Sequence, residues 1–257
     1  MGSGAVIGDD GLILTVGYII LEAVEVSIRG ADGKSVPASI VAYDHETGFG
    51  LIRASTPLNV KPLSLGNAGD VALMEPLLVA SKVGGLEAKG VYMVDRRPFA
   101  GYWEYLLEDA MFTAPPHAQF GGAALINRQG QLVGIGSLIL NDANPHRRPG
   151  PANMFIPVDL LKPILEDLLA NGRRKEPAHP WLGLYLEEYR GRIFVTRVAP
   201  DGPARKRAWM SAISSWASMA TSPAASPTST GISGSMGSRV SISRSTSSAT
   251  RRCPWRW

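Results

Sequence analysis

Gly121-Gly-Ala-Ala-Leu-Ile-Asn-Arg-Gln-Gly-Gln-Leu-Val-Gly-Ile135 reads as a short strand, a turn at Arg128-Gln-Gly130 and a second strand. Turn residues set between two apolar, β-rich runs are the signal of a hairpin. The same grammar runs upstream through Leu77-Leu-Val-Ala80, Gly90-Val-Tyr-Met-Val94 and Ala110-Met-Phe-Thr113. Earlier still, Ala5-Val-Ile7, Leu12-Ile-Leu-Thr15, Val24-Glu-Val-Ser-Ile28, Ser39-Ile-Val-Ala-Tyr43 and Gly50-Leu-Ile52 are punctuated by Asp9-Asp-Gly11 and Asp32-Gly33. Two such series of short strands predict an all-β fold of two barrels. A composition with 28 Gly and 19 Pro and 45% apolar residues suits that better than a helical bundle.

Downstream, Val158, Leu161, Ile164, Leu165, Leu168 and Leu169 fall at the 3, 4 spacing of one helix face. They predict an amphipathic helix over Pro157 to Ala170 with Gly172 as its stop. Asn171 to Pro180 is charged and carries proline, the composition of a linker. Leu182-Gly-Leu-Tyr-Leu186 and Arg192-Ile-Phe-Val-Thr-Arg-Val198 then read as two more strands. From Ser211 to Thr250, 15 of 40 residues are serine and none is acidic, so this stretch cannot bury enough apolar surface to offset its ordering entropy.

The 26 basic and 22 acidic residues give a formal charge of +4. Eight of the positive charges, from Arg205 to Arg256, lie past the last acidic residue, Asp201, which leaves 18 basic against 22 acidic up to Ala204. A balance of −4 is the wrong sign for a nucleic-acid face. The single cysteine, Cys253, excludes an internal disulfide. His45, His117, His146 and His179 have no paired metal-ligand spacing, so no metal and no other cofactor is expected. The longest apolar run, Leu12 to Leu21, falls short of the ~20 residues that span a bilayer. Met1-Gly-Ser-Gly4 leading into a strand is not the charged and then apolar start of a signal peptide.

Six stretches share one order and spacing: Gly2-Ser-Gly-Ala-Val-Ile7, Gly11-Leu-Ile-Leu-Thr15, Gly48-Phe-Gly-Leu-Ile52, Pro62-Leu-Ser-Leu-Gly66, Gly121-Gly-Ala-Ala-Leu-Ile-Asn127 and Gly130-Gln-Leu-Val-Gly-Ile135. Together they resemble the HtrA (DegP-like) family of trypsin-like serine proteases. The resemblance implies a chymotrypsin-like double β-barrel with a C-terminal helix. Phe155-Ile-Pro-Val-Asp159 resembles the family's exit from the protease domain, and Pro180-Trp-Leu-Gly-Leu184 with Gly202-Pro-Ala204 resembles the opening of its PDZ domain. The expected organisation is a trypsin-like domain over 1–170, a linker over 171–180, a truncated PDZ-like segment over 181–206 and a disordered Ser/Arg-rich tail over 207–257. The trypsin-like domain lacks the family's first strand, which leaves an open barrel edge. The abrupt change after Lys206 reads as a frameshift, which a PDZ-like continuation in another reading frame of the coding DNA would establish.

The resemblance also implies where chemistry would sit. Where the family carries Asn-Ala-His after its Leu-Thr strand, with the general base third, this chain reads Val16-Gly17-Tyr18. The family's acid falls on Gly48, and its nucleophile, counted back without a gap from Asn127, falls on Gly121. Acyl transfer of this kind needs a hydroxyl or thiol, a base that takes its proton and a carboxylate that orients the base. No serine or cysteine lies between Ser81 and Ser137, no histidine precedes His45, and Asp44 is the carboxylate near Gly48. Backbone donors around Gln119 and Gly121 would, without a nucleophile, only polarise a carbonyl. No catalytic residue is therefore expected.

Plain readings are preferred elsewhere: His45 and His117 as loop residues, Tyr18 as volume-filling packing, and Phe99-Ala-Gly-Tyr-Trp-Glu-Tyr105 as packing of a barrel against a loop. Trp181, Leu182, Gly183 and Leu184 match the PDZ loop whose backbone amides receive a peptide C-terminus, followed by a strand edge open to β-addition. The expected partners are polypeptides or protein C-termini, with a homo-oligomer and a periplasmic or cell-envelope setting implied by the family. The leading expectation is a catalytically inactive homologue. A serine endopeptidase of the HtrA type and a non-functional truncated or frameshifted product stay open beside it.

Overall fold

The computed structural model describes residues 1–30, 33–101, 106–141, 150–177, 179–189 and 192–206. The tail over 207–257, His146 and residues 102–105 of the aromatic stretch lie outside them. Strands β1 (Ala5–Val6), β2 (Leu12–Val16), β3 (Val26–Arg29), β4 (Ser35–Tyr43) and β5 (Phe49–Ala54) form one sheet, ordered β1-β2-β5-β4-β3. Strands β6 (Pro76–Val83), β7 (Gly85–Phe99), β8 (Leu107–Ala114), β9 (Ala124–Ile126), β10 (Leu132–Leu140) and β11 (Ala152–Pro157) close into a barrel, ordered β10-β11-β8-β7-β6-β9. Helix α1 (Leu165–Asn171) follows, then the hairpin β12 (Leu184–Tyr189) and β13 (Arg192–Val198), and the single turn α2 (Pro203–Lys206). The fold is all-β with the double-barrel architecture, although among the described residues the first unit remains an open sheet.

Alternation along β2 and β5 explains how the two units meet. Ile13 pairs with Ile52 and Leu14 with Leu51, so successive pairs point to opposite faces. Ile13 and Ile52 join Ile20 in a small cluster inside the first sheet. Leu12, Leu14, Val16 and Leu51 point the other way and pack with Phe112, Leu132, Ile135, Met154 and Ile156 of the barrel. A strand covered on both faces carries a continuous apolar run, which is why Leu12-Ile-Leu-Thr-Val16 is buried throughout. The barrel keeps a core of its own from Val79, Val91, Met93, Met111, Leu125, Val133 and Phe155.

Two expectations need correction. The helix over Pro157 to Ala170 is a 3₁₀ turn at Val158–Leu160 followed by α1, which begins only at Leu165. Pro163 has no N–H to donate and disfavours the α conformation at Lys162, so the helix starts after it. Gly172 does end it, in the left-handed region at φ 67°. In sequence β11 reads only as a segment leading out of the domain; its six residues are all buried, leaving no alternation to signal a strand.

Candidate functional site

Tyr18 lies in a 3₁₀ turn, Gly17–Ile19, directly after β2. The Gly17 N–H donates to the Gly48 carbonyl at 2.6 Å, and the Gly48 N–H donates to the Asp44 carbonyl at 2.8 Å. The end of β2 is thus bolted to the β4–β5 turn. From there the Tyr18 hydroxyl crosses to the barrel and donates to the Ser137 carbonyl on β10 at 2.7 Å. A Cβ placed on Gly121 would stand 3.2 Å from the same phenolic oxygen. Tyr18 and Gly121, far apart in the chain, meet at a seam between sheet and barrel, with Gly48 one backbone hydrogen bond behind at Gly17, and of the three only Tyr18 brings a side chain to it.

Left-handed backbone frames this seam. Gly48 has φ 80° and Gly122 has φ 74°, both in the left-handed region. A Cβ on Gly122 would also lie 2.0 Å from the Ser3 carbonyl oxygen. Ser3 ties the seam three ways: its N–H donates to the Gly121 carbonyl, its carbonyl accepts the Thr15 hydroxyl at 2.6 Å, and its hydroxyl accepts the Lys82 N–H at 2.8 Å.

Asp44, 4% exposed, is the carboxylate behind the seam, and it is fully engaged. It accepts the Thr47 N–H and hydroxyl, and a bidentate pair from Arg174 Nε at 2.7 Å and Nη2 at 2.9 Å. Arg174 Nη1 also reaches Glu46 at 2.9 Å. Burial alone pulls the Arg174 guanidinium down, but the hydrogen bond and charge of Asp44, with Glu46 and Glu176, outweigh it and leave its pKa raised. His45 is exposed and meets the Tyr43 ring edge-on, with centroids 4.2 Å apart.

The reading of His117 as an ordinary loop residue is corrected by its burial. It is 4% exposed, and its Nε2 lies 2.7 Å from Oγ of Ser81, itself 3% exposed. Asn153 clamps the same residue, accepting the His117 N–H at 2.6 Å and donating to its carbonyl at 3.1 Å. Gln119 donates to Glu87 at 2.7 Å, and Lys89 donates to the Pro116 carbonyl at 2.8 Å, so the β6–β7 hairpin grips the loop that leads to Gly121. A serine hydroxyl on an imidazole is the geometry of an activated nucleophile, and here both groups are buried. Sequence reasoning missed Ser81, Asn153 and Arg174. The only trace of Ser81 was a hydroxyl ending the apolar run Leu77 to Ala80.

Trp181, Leu182, Gly183 and Leu184 enter the β12–β13 hairpin. Trp181 is 51% exposed, and Gly183 turns the chain with φ 72°. The Gly183 carbonyl accepts the Ala199 N–H at 2.8 Å, the Leu182 carbonyl accepts the Ala204 N–H at 3.1 Å, and Leu184 pairs with Val198. Their recorded partners lie within this unit and not at the seam. Among the described residues no group of three or more His, Cys, Asp or Glu side chains could hold a metal ion, and no helix is long and apolar enough to cross a membrane.

A family model described as a trypsin-like peptidase domain matches residues 2–135, more than half of the chain. The chain belongs to the trypsin-like peptidase domain family. Within that family its likeness is to the HtrA type. It is 28% identical over 206 residues to the serine protease PepD of Mycobacterium tuberculosis, covering 72% of this chain and 44% of that protein. To the serine endoprotease DegS of Escherichia coli K12 it is 27% identical over 226 residues, covering 79% of this chain and 61% of DegS. The solved structure of the HtrA-type protease AlgW with a decapeptide superposes with a TM-score of 0.59 at 20% identity, over 80% of this chain and 65% of AlgW. This chain therefore spans roughly half to two thirds of the length of these trypsin-like relatives.

Proposed function

We propose that this chain is a catalytically inactive HtrA-type homologue that binds polypeptide, acting as a scaffold or in protein quality control. The observation that supports the reading is the seam itself: of the positions that the family resemblance assigns to base, acid and nucleophile, Tyr18 and Gly121 meet there and Gly48 is bonded to the neighbouring Gly17, a phenol and two glycines. Acyl transfer needs a hydroxyl, a base and an orienting carboxylate in mutual reach, and Asp44, the carboxylate nearest in sequence, is consumed by Arg174 and Thr47. AlgW was solved with a decapeptide and with a tripeptide, and a relative in Pseudomonas putida bears the name probable periplasmic serine endoprotease DegP-like; these support a polypeptide partner and an envelope setting for this chain. On this reading residues 1–170 are the protease-type domain, 171–180 a linker and 181–206 a partial PDZ-like segment that presents Trp181, Leu182, Gly183 and Leu184 to a peptide C-terminus. A homo-oligomer belongs to the same reading.

Casein proteolysis tests it. The natural chain should leave casein intact, and the triple variant Tyr18→His, Gly48→Asp, Gly121→Ser should gain measurable cleavage. Cleavage by the natural chain overturns the reading. One observation favours the second reading, a serine endopeptidase: the 2.7 Å contact between Ser81 and His117. A fluorophosphonate probe decides between them, since an endopeptidase using that pair would be labelled at Ser81 and an inactive binder would stay unlabelled.

A further inference from the structure

Strand β3 has a single neighbour. Val26, Ser27, Ile28 and Arg29 pair with Ala38, Pro37, Val36 and Ser35 of β4, and among the described residues no strand takes the far edge. Backbone groups in an antiparallel ladder alternate from side to side. The Pro37 carbonyl accepts the N–H of Ser55, the residue after β5, at 2.9 Å, so Pro37 is turned toward the β5 side. Val36 and Ala38, one step to either side of it, are therefore turned toward β3, where they meet Ile28 and Val26. The Gly30 N–H continues that series by donating to the Lys34 carbonyl at 2.9 Å. Glu25, Ser27 and Arg29 thus aim their backbone N–H and carbonyl groups outward.

The side chains alternate too. Val26 and Ile28 are half-buried against the sheet's own apolar cluster, while Glu25, Ser27 and Arg29 are exposed on the other face. β3 has no proline and its pairing with β4 has no bulge, so two usual guards of a free edge are missing. A second copy, laid antiparallel about a two-fold axis at Ser27, sets Ser27 on the partner's Ser27 and Glu25 on the partner's Arg29, each an outward-turned residue meeting another. The same register places Val26 beside the partner's Ile28 on the apolar face and joins opposite charges on the exposed one. Sliding it by two residues matches Glu25 or Arg29 with serine, and sliding it by four sets Glu25 on Glu25 or Arg29 on Arg29. We propose that β3 is a self-complementary edge through which two copies of this chain form a dimer, joining their first sheets into one. A contact of this symmetry closes at two copies. The inference rests on the homo-oligomer part of the proposed function and gives it a surface. The Lys82 ammonium, donating to the Gly30 carbonyl, ties the end of β3 to the barrel and holds the edge in place for a partner.

The test is sedimentation velocity of the full chain from about 5 to about 500 μM, a range suited to a small and weak interface. The natural chain should pass from monomer to dimer across it. Glu25→Arg sets a like charge against the partner's Arg29, and Arg29→Glu does the same against the partner's Glu25, so each variant alone should dimerise about tenfold more weakly. An equimolar mixture of the two variants should regain the natural affinity, because every contact between positions 25 and 29 then joins opposite charges. A chain that had merely misfolded could not recover in this way. Ser27→Pro removes the central outward N–H while sparing the bonds to β4, and should abolish the dimer. If the natural chain stays monomeric throughout, the surface and the homo-oligomer both fall. If it associates and none of the three variants weakens the association, the β3 edge is wrong and the homo-oligomer stands on another surface. Weakening without recovery in the mixture overturns the register.

Discussion

The two β units solve the same problem differently. The barrel of β6 to β11 closes on itself, so its edges pair and it encloses a core that includes Phe155, Met93 and Met111. The first sheet stays open, and the buried side chains of its own cluster are Ile13, Ile20 and Ile52. Most of the large apolar residues of β2 and β5 face the barrel instead. The barrel is therefore the platform. The sheet is stable by leaning on it, through the shared core, the Ser3 ties and the Tyr18 bridge. The seam lies where the dependent unit meets the self-sufficient one.

The largest expected effect comes from breaking the platform. Phe155→Ala should cost about 3–5 kcal/mol in urea unfolding and carry the sheet down in the same transition. Two separated transitions would mean the sheet stands alone. Arg174→Ala should come next, at about 2–3 kcal/mol, because it strands the Asp44 carboxylate behind the open sheet. Arg174→Lys should recover only part, since a point charge cannot reproduce the bidentate contact. Ile13→Val, inside the sheet's own small cluster, should cost about 0.5–1.5 kcal/mol. Native-state hydrogen exchange should then show β3 and β4 opening well below the free energy at which β8 and β11 open; uniform protection would erase the contrast. The smallest effect sharpens the seam. Gly121→Ser places a Cβ 3.2 Å from the Tyr18 hydroxyl, so pairing it with Tyr18→His should relieve about 0.5–1 kcal/mol in a double-mutant cycle. Additive costs would show that the two positions do not touch.

What could be read in advance follows from the range of the interactions. β2, β5, β9 and the start of β10 announce themselves because glycine turns and β-rich runs are local signals. β11 does not, because burial on both faces removes the alternation, and the helix reads too long in sequence because Pro163 interrupts its backbone without altering its apolar spacing. At the seam, the family resemblance points to Tyr18, Gly48 and Gly121, but a reading of Tyr18 as packing leaves out its hydrogen bond across 119 positions of sequence. The Arg174 to Asp44 pair spans 130 positions and the Ser81 to His117 pair spans 36. Nothing in a short window of residues marks such partners, because each depends on which strands become neighbours.

Ser3 has a practical consequence for optical work. It fastens to Gly121, Thr15 and Lys82, while a Cβ on Gly2 would collide with Ile19, the neighbour of Tyr18. Met1 projects fully into solvent. A dye carried on residue 1 is thus held by a short, anchored tether close to Ile19, where its emission can report a disturbance of the Gly17–Ile19 turn without a label in the seam itself.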